Sequence, residues 1–193
     1  RIVLSPENVE EIIYIVVEAF NLSENYQMPV IVLSDVSLAV RMESIERPKL
    51  DRFTIENRKA SKIGGDFMRF KITSTGISPI KLPGNLGVTF IASSLEHDEH
   101  SSPAFSPEIH TKMSNKRFAK LKHLEKNYPP PEIQGEGYTK LGIISFGSTR
   151  GSVREAVERA QDEGLSVKAL HPILLWPLQV KYFQKFANSC EKI

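Results

Sequence analysis

The sequence predicts an α/β fold, with two partial three-layer, parallel-sheet lobes joined by a long loop-rich connector. Three observations predict it. An apolar run, an apolar-periodic helix and an unbroken β-branched run follow one another over residues 1–35, the order of a crossover onto a parallel sheet. The same order returns over 141–170. Between the two, helical periodicity lapses and prolines accumulate. The division is therefore 1–45, 46–134 and 135–193.

Arg1 to Leu4 supplies the first strand. Ser5 suits an N-cap, Pro6 the first helical position and Glu7 the first turn, where the helix dipole favours an acid. Val9, Ile12, Ile13, Val16 and Phe20 recur as one buried helix face, ending near Tyr26. Met28 to Asp35 reads as a strand buried on both sides. Arg47-Pro48, Ser78-Pro79, Leu82-Pro83-Gly84 and Pro129-Pro130-Pro131 punctuate the connector. Short strands are expected around Phe67 to Thr73 and Val88 to Ser93. Glu108 to Lys126 is expected to be a helix with Phe118, Leu121 and Leu124 inward. The triple proline makes a stiff extended spacer, placing a boundary at 129–136.

In the second lobe, Leu141 to Phe146 is a strand and Gly147 to Ser152 a turn. Val153 to Glu163 is a helix with Val153, Ala156, Val157 and Ala160 inward, stopped by Gly164. Ser166 to Leu170 is the next strand. Leu178 to Asn188 is the last helix, with Val180, Phe183 and Ala187 periodic and Trp176 packing in the loop before it. The chain begins at Arg1, not Met, and ends at Cys190-Glu191-Lys192-Ile193, where a third strand should start; it reads as a piece of a longer protein. Two strands per lobe leave open edges, so the chain alone is expected to aggregate or to oligomerise through them.

Composition narrows the classes. The net charge is +2 from 25 basic and 23 acidic residues, which argues for neither nucleic acid nor membrane as a partner. One cysteine, Cys190, excludes an internal disulfide and an all-cysteine metal or cluster site within these residues, and fits a cytoplasmic setting. No apolar run has the length of a membrane span, and no leader pattern opens the chain.

Several groups could carry chemistry. Within His97-Asp98-Glu99-His100, an extended backbone would let only His97 with Glu99, or Asp98 with His100, share an ion; a structural or solvent-exposed role is the preferred reading. The turn Gly147-Ser148-Thr149-Arg150-Gly151 lies between strand and helix, where phosphates can bind, but it matches neither a dinucleotide fingerprint nor a P-loop. A plain tight turn with Ser152 near the cap is preferred; phosphate should bind it only weakly, so Arg150→Ala should leave thermal stability in phosphate buffer unchanged. Lys112, Lys116, Arg117, Lys120, Lys122 and Lys126 read as a solvated helix face. Asn21-Leu22-Ser23 fits a glycosylation pattern but lies in a helix, and Cys190 reads as core-facing.

An ordered set of motifs identifies a resemblance. Glu18-Ala19-Phe20-Asn21-Leu22-Ser23-Glu24, then Tyr26-Gln27 and Pro29 to Asp35, resembles the end of the pyrimidine-binding domain in 2-oxoacid:ferredoxin oxidoreductase alpha subunits. Thr75-Gly76-Ile77-Ser78-Pro79, Leu82-Pro83-Gly84, Glu96 to Glu99, Lys116-Arg117 and Lys120-Leu121 are similar to that family's connector. Gly147-Ser148-Thr149 with Arg154-Glu155-Ala156 is similar to the opening of its transketolase C-terminal-like domain. Two departures affect local loops: His100-Ser101-Ser102 stands where a glycine is expected, and Gln179 where a proline is.

The resemblance implies an enzyme that decarboxylates a 2-oxoacid on thiamine diphosphate, passes electrons singly through an iron–sulfur cluster to ferredoxin, and releases an acyl-CoA. It implies a beta subunit as partner, holding most of the diphosphate, magnesium and cluster, and an oligomeric assembly. The family's catalytic glutamate and its substrate-contacting threonine and arginine fall upstream of Arg1. No catalytic, cofactor-binding or metal-binding residue is therefore assigned to this chain, whose expected role is scaffold and interface, inactive alone. Either 2-oxoglutarate or a branched-chain acid fits, and the basic stretch could steer ferredoxin. Two other readings stand beside this one: a stand-alone module binding a small phosphorylated ligand at the Gly147 turn, or a transketolase-like component of a lipoamide-linked dehydrogenase.

Overall fold

The chain folds into two small sheets flanked by helices, in a computed structural model that describes residues 1–58, 60, 67–82, 84, 89–92 and 94–193. In chain order the elements are β1 (Ile2–Leu4), α1 (Val9–Tyr26), β2 (Val30–Val32), α2 (Val36–Ala39), α3 (Pro107–Asn127), β3 (Glu132–Gln134) and β4 (Thr139–Ile144). They continue with α4 (Thr149–Asp162), β5 (Val167–His171), β6 (Leu174–Trp176), α5 (Val180–Ala187) and β7 (Cys190–Lys192).

The first sheet has the order β2-β1-β6, with β1 parallel to β2 and antiparallel to β6. The second has the order β3-β5-β4-β7; β4 is parallel to both neighbours, and β3 runs antiparallel along the β5 edge. The architecture is α/β with parallel elements, as expected, but each sheet is fuller than expected. Trp176 lies in a strand instead of a loop and is half-exposed. The segment after the prolines pairs as β3, and Cys190 to Lys192 completes the third strand beside β4. The expectation of two bare strands per lobe is thus corrected. Among the described strands of the first sheet, β1 is flanked on both sides and β2 is an open edge.

The helix start also differs. Asn8, not Ser5, caps α1: its side chain accepts from Glu11 N–H at 2.8 Å, and the Glu11 carboxylate accepts in turn from Glu7 N–H at 2.7 Å. This is the reciprocal logic of a capping box shifted by one residue. Ser5 to Glu7 stays outside the helix, buried, with Ser5 N–H donating to Ile173 O at 2.9 Å.

The inward face of α1 is Ile15, Ala19, Leu22 and Tyr26, while Val16 and Phe20 are exposed. The reason is that α1 is apolar on most of its circumference, and the deciding partners are distant in sequence. Ile2 and Leu4 of β1, Leu121 and Leu124 of α3, and Leu174 of β6 form one core with those four residues. Ile2 and Leu4 are wholly buried, and each contributes on the order of 2 kcal/mol relative to exposure. α3 extends one residue beyond the expected helix at each end, with Ser106 as N-cap, but Phe118 faces out and Met113 in. β2 is shorter than Met28 to Asp35, and Ile31 and Leu33 are exposed, so it is not covered on both faces here.

The connector is held by side chains instead of sheet. Phe67 to Thr73 carries turns and no strand. Of the second expected strand, Val88 and Ser93 lie outside the described residues, as does Pro83, and residues 89–92 are not strand. The Asn21 amide donates to Thr54 O at 2.6 Å and accepts from Glu56 N–H at 2.8 Å, and Tyr14 stacks on Phe53 at 5.1 Å. Gly76, at φ +75°, presses on α3: a Cβ there would stand 2.4 Å from Lys116 O.

In the second sheet, α4 starts at Thr149, four residues before the expected Val153. Val157 is fully buried against Val167 and Ala169, while Ala156 is exposed. Phe186, Leu170 and Cys190 form a separate small core, and Val180 is exposed. Gly164, at φ +80°, ends α4 as expected.

Candidate functional site at the junction of the two sheets

The buried polar groups gather where the first sheet meets α4. The Gly147 turn and β2 approach each other there because Gly147, at φ +66°, has no side chain: a Cβ would lie 2.8 Å from Asp35 Oδ2. The Asp35 carboxylate accepts from Ser148 N–H at 2.8 Å through Oδ2 and from Leu38 N–H at 3.0 Å through Oδ1. One side chain thereby caps α2 and the start of α4, and those backbone N–H groups hold its pKa below the usual carboxylate range.

Arg150 makes the second tie. Its guanidinium pairs with Glu7, in the segment after β1, and with Glu132 of β3; Arg154 also pairs with Glu132. The Glu7 side chain is 1% exposed and that of Arg150 is 14% exposed, so this is a buried pair linking residues far apart in sequence. Burial, with Arg154 nearby, lowers the Arg150 pKa.

Around this pair the carboxylates crowd. Burial, then Glu132 and Glu18, push Glu11 up to about 7. Burial also raises Glu18, opposed by a hydrogen bond from Tyr128, whose own pKa is raised by burial and by Glu18. His171 is buried, with Nδ1 at 2.9 Å from Ser145 Oγ. Burial and then Arg150 lower its pKa, which leaves a neutral imidazole at pH 7.

The expected candidates disperse. His97 to His100 is a tight loop closed by the His97–Pro103 bridge, not an extended segment. His97 stacks on Phe70 at 3.8 Å, Asp98 Oδ1 accepts from His100 and Ser102 N–H, and Glu99 accepts from Ile72 N–H. The basic stretch is not one solvated face. Lys116 is buried over the Phe70 ring, Lys120 donates to Gln27 O at 3.2 Å, and Arg117 grips Glu96 with both Nη atoms. Lys112, Lys122 and Lys126 are exposed. Cys190 is buried, with Sγ against Phe186 O.

At the Gly147 turn, the anion position at the start of α4 is taken by Asp35, which answers why no phosphate motif is needed there. Arg150 is corrected from a dispensable turn residue to a buried ion-pair partner. Glu7, Asp35, Glu132 and His171 escaped the sequence reading. Ser-Pro-Glu after an apolar run looks like a helix start, and the polar exit of a β-branched run looks like a loop. Nothing local marks either as reaching a helix more than a hundred residues away.

The helices packed on sheets with parallel strand pairings define a protein of the α/β class. A family model, pyruvate flavodoxin/ferredoxin oxidoreductase, thiamine diphosphate-binding, matches residues 1–116, and the chain belongs to that family. The 2-oxoacid:ferredoxin oxidoreductase 2 subunit alpha of Aeropyrum pernix is 31% identical over all of this chain and 31% of its own length. The 2-oxoglutarate synthase subunit KorA of Methanothermobacter marburgensis is 32% identical over all of this chain and 51% of its length. A solved 2-oxoglutarate:ferredoxin oxidoreductase from Magnetococcus marinus, with 2-oxoglutarate, coenzyme A and succinyl-CoA bound, is 46% identical, with a TM-score of 0.94 over all of this chain and 34% of its own. The chain thus spans about a third to a half of these relatives. Among the described residues, no helix is long and apolar enough to cross a membrane.

Proposed function

We propose that the chain is part of the alpha subunit of a 2-oxoacid:ferredoxin oxidoreductase whose substrate is 2-oxoglutarate. The observation that carries this is the 46% identity, over the whole chain and at a TM-score of 0.94, to an enzyme solved with 2-oxoglutarate and succinyl-CoA. The overall reaction takes a 2-oxoacid and CoA to acyl-CoA and CO2, with two electrons leaving singly to ferredoxin. Thiamine diphosphate, magnesium and an iron–sulfur cluster supply that chemistry in the whole enzyme, held mainly by a beta subunit. Among the described residues no group of three or more His, Cys, Asp or Glu side chains that could hold a metal ion forms.

Their role is to hold geometry. Residues 1–45 end a pyrimidine-binding domain, 46–134 connect, and 135–193 begin a transketolase C-terminal-like domain. The Asp35 cap and the Glu7–Arg150 pair fix the first to the last. The exposed Val16, Phe20, Ile31 and Leu33 beside the open β2 edge are apolar surface suited to burial in a cytoplasmic, multi-subunit assembly. The test is dye reduction by the full-length alpha subunit purified with its beta subunit. We expect CoA-dependent viologen reduction with 2-oxoglutarate at a kcat/KM at least about tenfold above that with pyruvate or 2-oxoisovalerate. Preference for 2-oxoisovalerate would overturn the substrate, and no reduction with any 2-oxoacid would overturn the reading.

A further inference from the structure

Away from the junction, a half-open cavity of about 390 Å³ lies where the end of α1 meets α3. Met28, Pro29 and Leu121 give it apolar surface, and Arg1 and Arg117 are charged members of the lining. Among the described residues no acid lines it, and Lys120 of α3 is its one lysine.

The surroundings of Lys120 make it a nucleophile. Its Nζ donates to Gln27 O at 3.2 Å, the carbonyl of the left-handed residue that ends α1, and this acceptor is neutral. Burial, then Arg69 and Arg117, lower its pKa from 10.5 to about 8. About a quarter of the side chain is then unprotonated at pH 7.5, against about a thousandth at the ordinary value. A lysine that is partly desolvated and set beside other cations is activated in this way. Lys116 is lowered to about 8 as well, but it is buried over the Phe70 ring and takes no part in the cavity lining. Location therefore singles out Lys120 from the two.

The lining selects the electrophile. A short methylene chain finds apolar surface on Met28, Pro29 and Leu121, and a terminal carboxylate is attracted by Arg1 and by Arg117, which also grips Glu96. We propose that Lys120 is a modification site, acylated on Nζ by a thioester whose acyl chain ends in a carboxylate, as in succinyl-CoA. The amine nitrogen attacks the thioester carbonyl, the C–S bond breaks, and the departing thiolate takes up the proton that the amine loses. The products are an amide and free CoA thiol, with no oxidation or reduction. A cation at this position becomes an anion, which relieves the crowding with Arg69 and Arg117. The choice of succinyl donor rests on the reaction proposed above, of which it is the product; the reactivity of the lysine does not.

The test adds succinyl-CoA to the full-length parent chain, purified with any subunit that accompanies it, and follows each lysine by peptide mass spectrometry. Lys112, Lys122 and Lys126, exposed on the same helix, serve as internal standards. At pH 7.5 Lys120 is expected to be succinylated at least about tenfold faster than each of them. With acetyl-CoA, which brings no carboxylate, that ratio should fall by at least about threefold. Lys120→Arg keeps the cation and should remove the fast first addition from the intact mass. A rate at Lys120 no higher than at Lys122, a ratio unchanged with acetyl-CoA, or a fast first addition surviving in Lys120→Arg would each overturn the proposal. Should that variant fail to fold, the ratios in the unaltered chain decide. Because the thioester is supplied, labelling is read without turnover: labelling absent from an enzyme that oxidises 2-oxoglutarate sinks this inference alone, and labelling present in one that does not sinks only the assigned reaction.

Discussion

Arg150 and Glu7 set the energetics at the scale of single residues. Removing one member of a buried pair leaves the other as an uncompensated charge, which costs about 3–5 kcal/mol. Arg150→Ala should therefore lower the unfolding free energy of the parent chain by about that much, read from the denaturant midpoint. The double variant Glu7→Gln, Arg150→Met should recover most of it, because no lone charge is left. Equal loss in both variants would show that Arg150 acts through packing alone.

Glu11 makes a pH prediction of opposite sense to the usual carboxylate. Its native pKa, about 7, lies above the ordinary value of 4.5, so between those values the folded chain holds a proton that the unfolded chain has lost. Stability at this residue is full below pH 4.5 and declines as pH rises to about 7. Glu11→Gln keeps an acceptor for Glu7 N–H and should flatten the melting-temperature profile across that window. An unchanged slope would place the titration elsewhere.

Among the elements, α1 and α3 show what could be read locally and what could not. The extent of α3 and the C-terminal end of α4 were legible because caps, periodicity and a terminal glycine act over a few residues, whereas α4 starts four residues and β4 two residues before the expected positions. The buried face of α1 was not, since Val16 and Phe20 are as apolar as Ile15 and Leu22. Only the arrival of Leu121, Leu124 and Leu174 chooses between the stripes. β6 escaped for the same reason: Leu174 to Trp176 becomes a strand by pairing with Val3 and Leu4, far away in sequence. The site fared worse than the fold, because Glu7, Asp35 and His171 gain their roles only through long-range contacts. One connector glycine can be tested at this scale. Gly76→Ala forces both a positive φ and a Cβ into the α3 backbone, where Lys116 O lies 2.4 Å from the added atom. It should destabilise by about 1–3 kcal/mol, checked by urea unfolding, and it should raise amide exchange in α3 before β4 or β5.

For the molecule as a whole, the residues bring two sheets together, and the proposal leaves cofactor chemistry to the rest of the enzyme. The chain by itself is accordingly expected to show no 2-oxoacid- and CoA-dependent viologen reduction and no micromolar binding of thiamine diphosphate; calorimetry or a dye assay giving either would reassign the chemistry to these residues. The core of the first sheet draws on both ends of the sequence, and the Asp35 cap and the Glu7–Arg150 pair tie it to the second sheet, so the two sheets should open together. Hydrogen exchange read by mass spectrometry on the purified parent enzyme tests that coupling most directly. Asp35→Asn keeps the shape of the side chain and removes the charge at the start of α4. The variant is predicted to lose protection in β1 and α1 and in β4 and α4 together, and by similar factors. Loss confined to α4, with β1 and α1 exchanging as before, would contradict a locked junction.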